Sequence, residues 1–296
     1  MPVTSTTLER DNAHDAQTLT PLPRRMGWVR LLRRPVFPTL LLSMVLAAFS
    51  GPALATENAD SADEPIIVLV HGAWANPSGW DETVARLEKH GYVTVTPRLG
   101  LLGIESDAGI VEATLDSIPG DKLLVGHSYG GTVISNAAYG RSDVVGLVFT
   151  AAFVPDEGES IVSLGEGFAP SEVLHHLEWT GEPFASPAYI ERDAFPWVFA
   201  ADLNPKHAAD LNAGQQPASP AILVSESGPA AWHDLPSWYA ISGRDLVIDP
   251  AQQRWMAQRA GSTIIEFDEA SHVGGYTHYV TRLTKLIEQA VQATAG

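Results

Sequence analysis

Ser128 stands at the centre of Gly126-His127-Ser128-Tyr129-Gly130, between the apolar residues Leu123-Leu124-Val125 and the small-residue stretch Gly131 to Ala138. A hydroxyl lifted on a sharp strand-to-helix turn is free of its own backbone and can attack an acyl carbon. Glycines two residues before and after are needed because strand and helix nearly touch there, leaving no room for Cβ atoms. The bare pentapeptide would arise by chance in about one chain in ten of this composition, so the flanking strand and helix patterns carry the argument.

A serine hydroxyl needs a base, and the base needs an acid to orient it. Pro236 to Ser242 reads as a buried strand running into Gly243-Arg244-Asp245-Leu246-Val247-Ile248-Asp249-Pro250. A helix from Ala251 to Ala260, a strand Thr263 to Phe267 and a polar loop ending in Ser271-His272 follow. Ser128, Asp245 and His272 thus each lie just past a strand, in that chain order. Asp249 precedes Pro250 and reads as the cap of the next helix. Asp156 belongs to the turn Pro155-Asp156-Glu157-Gly158. His278 falls inside the amphipathic C-terminal helix pattern. Asp245 and His272 are therefore the expected acid and base.

Four segments, His71-Gly72-Ala73-Trp74, GHSYGG at 126–131, Ser242-Gly243-Arg244-Asp245 and Ser271-His272, together resemble the motifs of α/β-hydrolases of the small bacterial serine-esterase type, over roughly residues 65–295. That branch includes pyrethroid-type esterases, plant hydroxynitrile lyases and cofactor-free haloperoxidase-like enzymes, so membership does not fix the reaction. The resemblance implies an α/β-hydrolase fold with a mostly parallel sheet, helices on both faces and an inserted cap. It implies an oxyanion hole from the N–H groups of Ala73 and Tyr129, and a bracing role for His71. The implied reaction is transfer of an acyl group from a small-molecule carboxylic ester to water, with no cofactor. In the lyases a Lys follows the catalytic His and a Thr replaces the oxyanion-loop glycine; Val273 and Gly72 stand here instead. A perhydrolase, haloperoxidase-like or lyase reaction on the same fold and a catalytically silent exported binding protein are the alternatives.

These residues require a scaffold, and the rest of the chain supplies its pattern. Strands at 66–70, 92–96, 122–125 and 144–149 alternate with helices near 78–90 and 107–117, the signature of a parallel sheet covered on both faces. Between Pro155 and Leu235 the alternation stops. This stretch of about 80 residues is too long for a structureless loop and is expected to be a cap inserted after the sixth strand of the fold, the one at 144–149, roofing the site. Trp74, Phe153 and Trp197 are the expected pocket residues. His175-His176 lacks a third ligand at metal-binding spacing, and no metal is expected.

Residues 1–55 read as a leader: five arginines from Arg24 to Arg34, an apolar run Val36 to Phe49 and the small-residue site Ala53-Leu54-Ala55 describe an export signal cleaved near Ala55. A start at Met26 would give an n-region of ordinary length; the general secretory route is preferred over the twin-arginine outline of Arg33-Arg34, and an uncleaved membrane anchor is the alternative. The expected product is a periplasmic or secreted protein without stable membrane association, with a linker at 56–64 and one hydrolase domain at 65–296. The chain carries 18 Lys and Arg against 35 Asp and Glu, a net charge of −17. Residues 1–55 hold six of the former and three of the latter, so the remainder would stand at −20. That charge argues against nucleic acid or anionic membrane as a partner. The absence of cysteine rules out disulfides and a thiol nucleophile.

Overall fold

The structure is a computed structural model and describes residues 64–295; the leader and most of the linker lie outside the described residues. In chain order the elements are β1 (Ile66–Val70), α1 (Asp81–Lys89), β2 (Thr94–Val95), α2 (Ile104–Ser117), β3 (Lys122–His127), α3 (Tyr129–Ala137) and β4 (Val144–Thr150). The insertion follows, with α4 (Ile161–Leu164), β5 (Leu177–Trp179), β6 (Ala188–Ile190), α5 (Phe195–Val198), α6 (Pro205–Ala213) and α7 (Ala221–Val224). Then come β7 (Ser237–Ser242), α8 (Pro250–Arg259), β8 (Thr263–Phe267), α9 (Gly274–Thr277) and α10 (Val280–Thr294).

Six strands form one sheet in the order β2-β1-β3-β4-β7-β8, every neighbouring pair parallel. All six residues of β3 and of β7 are buried, as strands covered on both faces must be, and this is why they read as unbroken apolar runs. The edges are protected differently: β2 pairs through only two residues ahead of Pro97, and β8 has a half-exposed face. After β1 the chain moves to one side of the sheet for β2, then crosses to the other for β3. The carboxyl ends of β1 and β3 therefore flank the crevice where such sheets hold their ligands.

At the β3–α3 turn strand and helix nearly touch. Ser128 adopts φ 54°, ψ −125°, and α3 starts at the next residue. A Cβ on Gly130 would stand 2.5 Å from the Val70 carbonyl oxygen, and one on Gly126 would stand 2.7 Å from the Gly130 carbonyl oxygen. Both glycines of the pentapeptide are thus required by contact distance, and α3 is pressed against β1 along their bare Cα atoms.

Two details depart from the sequence pattern. The insertion, which follows β4, the strand after the elbow helix, is not purely helical. It contains an antiparallel hairpin, β5 with β6, whose three-residue strands are too short to show periodicity. The C-terminal helix pattern is broken: α9 ends at Thr277, His278 lies exposed in the gap, and its Nδ1 meets the Asp202 carbonyl at 2.9 Å.

Replacing Gly130 with alanine should drive Cβ into the β1 backbone and destabilise the domain by about 1–3 kcal/mol, the cost of overpacking a close contact. Thermal unfolding should show a midpoint several degrees lower than in the wild-type protein; an unchanged midpoint would mean that α3 and β1 are not held at this spacing.

Candidate active site

Each expected functional residue follows the carboxyl end of a strand: Gly72 and Ala73 after β1, Ser128 after β3, Asp245 after β7 and His272 after β8. Parallel pairing puts those ends on one edge of the sheet. The Ser128 turn is tied by three backbone hydrogen bonds: its N–H donates to Ala151 O (3.1 Å), and its carbonyl accepts from Gly131 N (3.0 Å) and Phe153 N (3.1 Å). Those bonds hold a non-glycine residue at positive φ, a conformation that costs on the order of 1–3 kcal/mol.

Asp245 and His272 are joined by a 2.8 Å bond between Oδ2 and Nδ1, with neither side chain exposed. The carboxylate accepts three further bonds, from Val247 N (2.7 Å) and Ile248 N (3.0 Å) on Oδ1 and from Gln253 Nε2 (2.8 Å) on Oδ2. With a carboxylate as its acceptor, Nδ1 carries the proton and Nε2 presents a lone pair. Nε2 is buried and has no partner among the described residues. No hydrogen bond joins it to Ser128 Oγ. The two segments nevertheless meet at one corner, because His127, the chain neighbour of Ser128, contacts the His272 carbonyl through Nε2 at 3.0 Å, with the two imidazole centroids 4.6 Å apart.

The loop after β1 closes over Ser128. A Cβ on Gly72 would fall 2.6 Å from Ser128 Cβ, so only glycine allows this approach. The N–H groups of Ala73 and Tyr129 donate to no acceptor among the described residues, and both residues line the same cavity as Ser128. Two unpaired N–H groups beside a serine hydroxyl can stabilise negative charge on a substrate oxygen. His71 braces the loop as expected: its Nδ1 meets Gly72 O at 2.9 Å, and its Nε2 accepts from Leu99 N at 3.1 Å. Burial lowers the His71 pKa to about 4, with Arg98 adding to the effect and the Gly72 carbonyl opposing it. Burial also pulls His127 well below the ordinary imidazole range, reinforced by the neighbouring His272. Both rings stay neutral at physiological pH.

The cavity has a volume of about 370 Å³. Trp74 and Phe153 line it, as the sequence predicts, together with Val173 and Ile222 from the insertion. Trp197 does not. It is 45 % exposed and stands edge-on to His176 at 5.0 Å. The reason is helical phase: α5 buries Phe195 and Val198, which turns Trp197 outward. Asp249 is the α8 cap, accepting from Ala251 N at 2.9 Å, and Asp156 pairs with His233 at 2.8 Å; neither contacts His272.

Four partners of the site escape the sequence reading. Gln253, buried in α8, also accepts from Ser242 N (3.0 Å) and donates to Ile248 O (2.9 Å), locking the Asp245 turn. Phe199 packs on the His272 ring at 4.7 Å. Asp107 accepts from the Tyr129 hydroxyl (2.8 Å) and from Gly100 N and Leu101 N, fixing the start of α3; burial, then the Asp107 charge, push the Tyr129 phenol upward so that it keeps its proton. Asp202, from the insertion, accepts from Ser271 Oγ, next to His272. Of these, only Phe199 carries a sequence signal, the aromatic run Phe195-Pro196-Trp197-Val198-Phe199.

A parallel sheet with a strained serine turn at its switch point and a buried Asp–His pair on the same edge has the architecture of the α/β hydrolases. The chain belongs to the alpha/beta hydrolase family, whose model matches residues 67–282. It is 38 % identical over 123 residues to a carbendazim hydrolyzing esterase of Nocardioides sp., an alignment covering 36 % of this chain and about half, 49 %, of that esterase. It is 29 % identical over 217 residues to the alpha/beta hydrolase nvfD of Aspergillus novofumigatus, covering 66 % of this chain and 84 % of the relative. Among solved structures it shares the fold of a pyrethroid hydrolase, with TM-score 0.66 and 22 % identity over 78 % of this chain and 99 % of the other.

The two neutral buried histidines give stability a defined pH dependence. Their folded pKa values lie below the unfolded value of 6.5, so below pH 6.5 the unfolded chain binds protons that the native state refuses. The stabilisation is complete above pH 6.5 and is lost as pH falls toward the folded values, by up to about 1.4 kcal/mol per pH unit for each ring. Urea unfolding at pH 7, 6 and 5 should show this decline, and His71→Asn should remove one proton from the slope.

Proposed function

We propose that the protein is a serine hydrolase that cleaves a carboxylic ester of a small to medium, largely apolar molecule. Ser128 Oγ attacks the ester carbonyl carbon while His272 Nε2 takes the hydroxyl proton, forming the serine–carbon bond. Asp245 holds the imidazole tautomer and stabilises the imidazolium. The N–H groups of Ala73 and Tyr129 receive the oxyanion. Breaking the bond to the leaving alkoxide, which takes the proton from His272, leaves an acyl-serine; water, deprotonated by His272, then releases the acid and frees Ser128.

The observation that carries this reading is the Asp245–His272 bond at 2.8 Å inside a carboxylate already held by three other donors, with the imidazole Nε2 left free. A buried acceptor without a partner costs roughly 1–3 kcal/mol, an expense retained where the lone pair is used. The missing Ser128–His272 bond fits a site whose catalytic contact tightens when substrate binds. A cavity of about 370 Å³ with apolar walls accommodates a substrate of the stated size. The esterase relatives support the same reaction class.

Ser128→Ala should lower ester hydrolysis by about 10³-fold or more with an unchanged circular dichroism spectrum, and should abolish fluorophosphonate labelling. A folded mutant that keeps its activity would exclude the serine mechanism. Asp245→Asn should cost about 10²-fold or more through the wrong tautomer, whereas Asp249→Asn should lower stability by about 1 kcal/mol or less and leave the rate nearly intact. Reversed behaviour would make Asp249 the acid.

The proposal extends to export, on the strength of the arginine-rich segment, the apolar run to Phe49 and Ala53-Leu54-Ala55. Expressed in a bacterial host, the protein should accumulate outside the cytoplasm with an N-terminus at or near Thr56. Intact-mass measurement decides the point, and a cytoplasmic product beginning at Met1 or Met26 would exclude a cleaved leader.

A further inference from the structure

The wall of the cavity is mostly apolar, with Glu166, Ser171 and His175 at its more exposed parts and one buried polar side chain that the mechanism does not use. Apart from Ser128 and Tyr129, whose hydroxyl is committed to Asp107, the buried polar side chain lining it among the described residues is Gln252, 3 % exposed, on the first turn of α8. Its Nε2 donates to Leu164 O at 2.9 Å, closing the end of α4. A carbonyl can only accept, so this bond fixes which end of the carboxamide is nitrogen. Oε1 is then the end left over. It has no donor among the described residues, yet it is not one of the sealed, unpartnered buried atoms either. The next residue, Gln253, uses both ends of its amide on the protein, at Ser242, Asp245 and Ile248. Two adjacent glutamines therefore divide the work: one closes the Asp245 turn, and the other, a lining residue of the cavity, keeps an unused acceptor.

We propose that Gln252 Oε1 is a specificity contact that accepts a hydrogen bond from an O–H or N–H donor on the substrate, at a point away from the scissile carbonyl. The preferred substrates are accordingly esters with an apolar body and one hydroxyl or amide N–H placed to reach α8. The substrate carries no negative charge, because no Lys or Arg lines the cavity and the carboxylate of Glu166 stands at its rim. This contact rests on Ser128 being the reacting residue, and it selects among substrates without taking part in bond cleavage.

The test compares p-nitrophenyl esters of graded length ending in an acetamido group with ketone counterparts in which CH2 replaces the N–H. The wild-type protein should favour the acetamido ester at one chain length by about tenfold in kcat/KM, the size of one added hydrogen bond, with the difference mainly in KM. Gln252→Met, which has no amide oxygen, should erase that ratio. Gln252→Lys should erase it too, although its ammonium can still donate to Leu164 O, and this separates the acceptor from its structural tie. The ratio is read within each variant, so a general change in rate does not disturb it. Equal kcat/KM for the two esters at every length in a wild-type protein that is labelled by fluorophosphonate overturns the Gln252 contact alone, as does a preference that survives in both variants. Absence of both labelling and turnover in the folded protein overturns the hydrolase reading and this contact with it.

Discussion

A backbone carbonyl stands where a side chain would otherwise be: Val70 O lies 2.5 Å from the position a Cβ on Gly130 would take. That close approach lets α3 begin directly after Ser128 and forces the serine to φ 54°. Everything around the site takes its position from this joint. The loop after β1 can cover the serine only because β1 itself lies against α3, and the Tyr129 N–H is free because it opens a helix whose first turn has no intrahelical acceptor to give. The strain is local, and the bonds to Ala151, Phe153 and Gly131 contain it.

The second constraint is electrostatic. Two carboxylates, Asp107 and Asp245, are buried without a lysine or arginine at hydrogen-bond distance, and both are satisfied by N–H and O–H donors alone. Oriented dipoles do what an ion pair would do elsewhere, without burying an opposing charge. Asp107 fixes the position of Tyr129, and Asp245 fixes the imidazole of His272. The neutral rings of His71 and His127 complete the packing and add no charge to the base they surround.

Ser128, Asp245 and His272 were legible in the sequence because each belongs to a turn whose residues are contiguous: a glycine-bracketed elbow, a Gly-Arg-Asp turn after a buried strand, a polar loop after a short one. The parallel sheet was legible from strands that alternate with helices, whereas the order of the strands in it was not. The partners were not legible, since Gln253, Asp107 and Asp202 acquire meaning only when a distant segment folds against them. Trp197 shows the opposite error: aromatic character was read as pocket lining, whereas the phase of a four-residue helix, below the resolution of any periodicity, turns it to solvent. His278 was placed inside a helix for a related reason, because an amphipathic pattern runs on across a break that tertiary contacts impose.

Beside the Asp202–Ser271 bond, two contacts between the insertion and the core bear on the loop after β1 and on the His272 ring. The Trp74 indole, next to Ala73, donates to Ala188 O in the hairpin at 3.0 Å, and the Phe199 ring lies on His272. The insertion is therefore part of the site as well as its roof: the loop after β1 and the His272 imidazole both lean on residues beyond Pro155. A transplanted roof would need an acceptor for that indole and a ring for that histidine before its own binding preferences could be expressed.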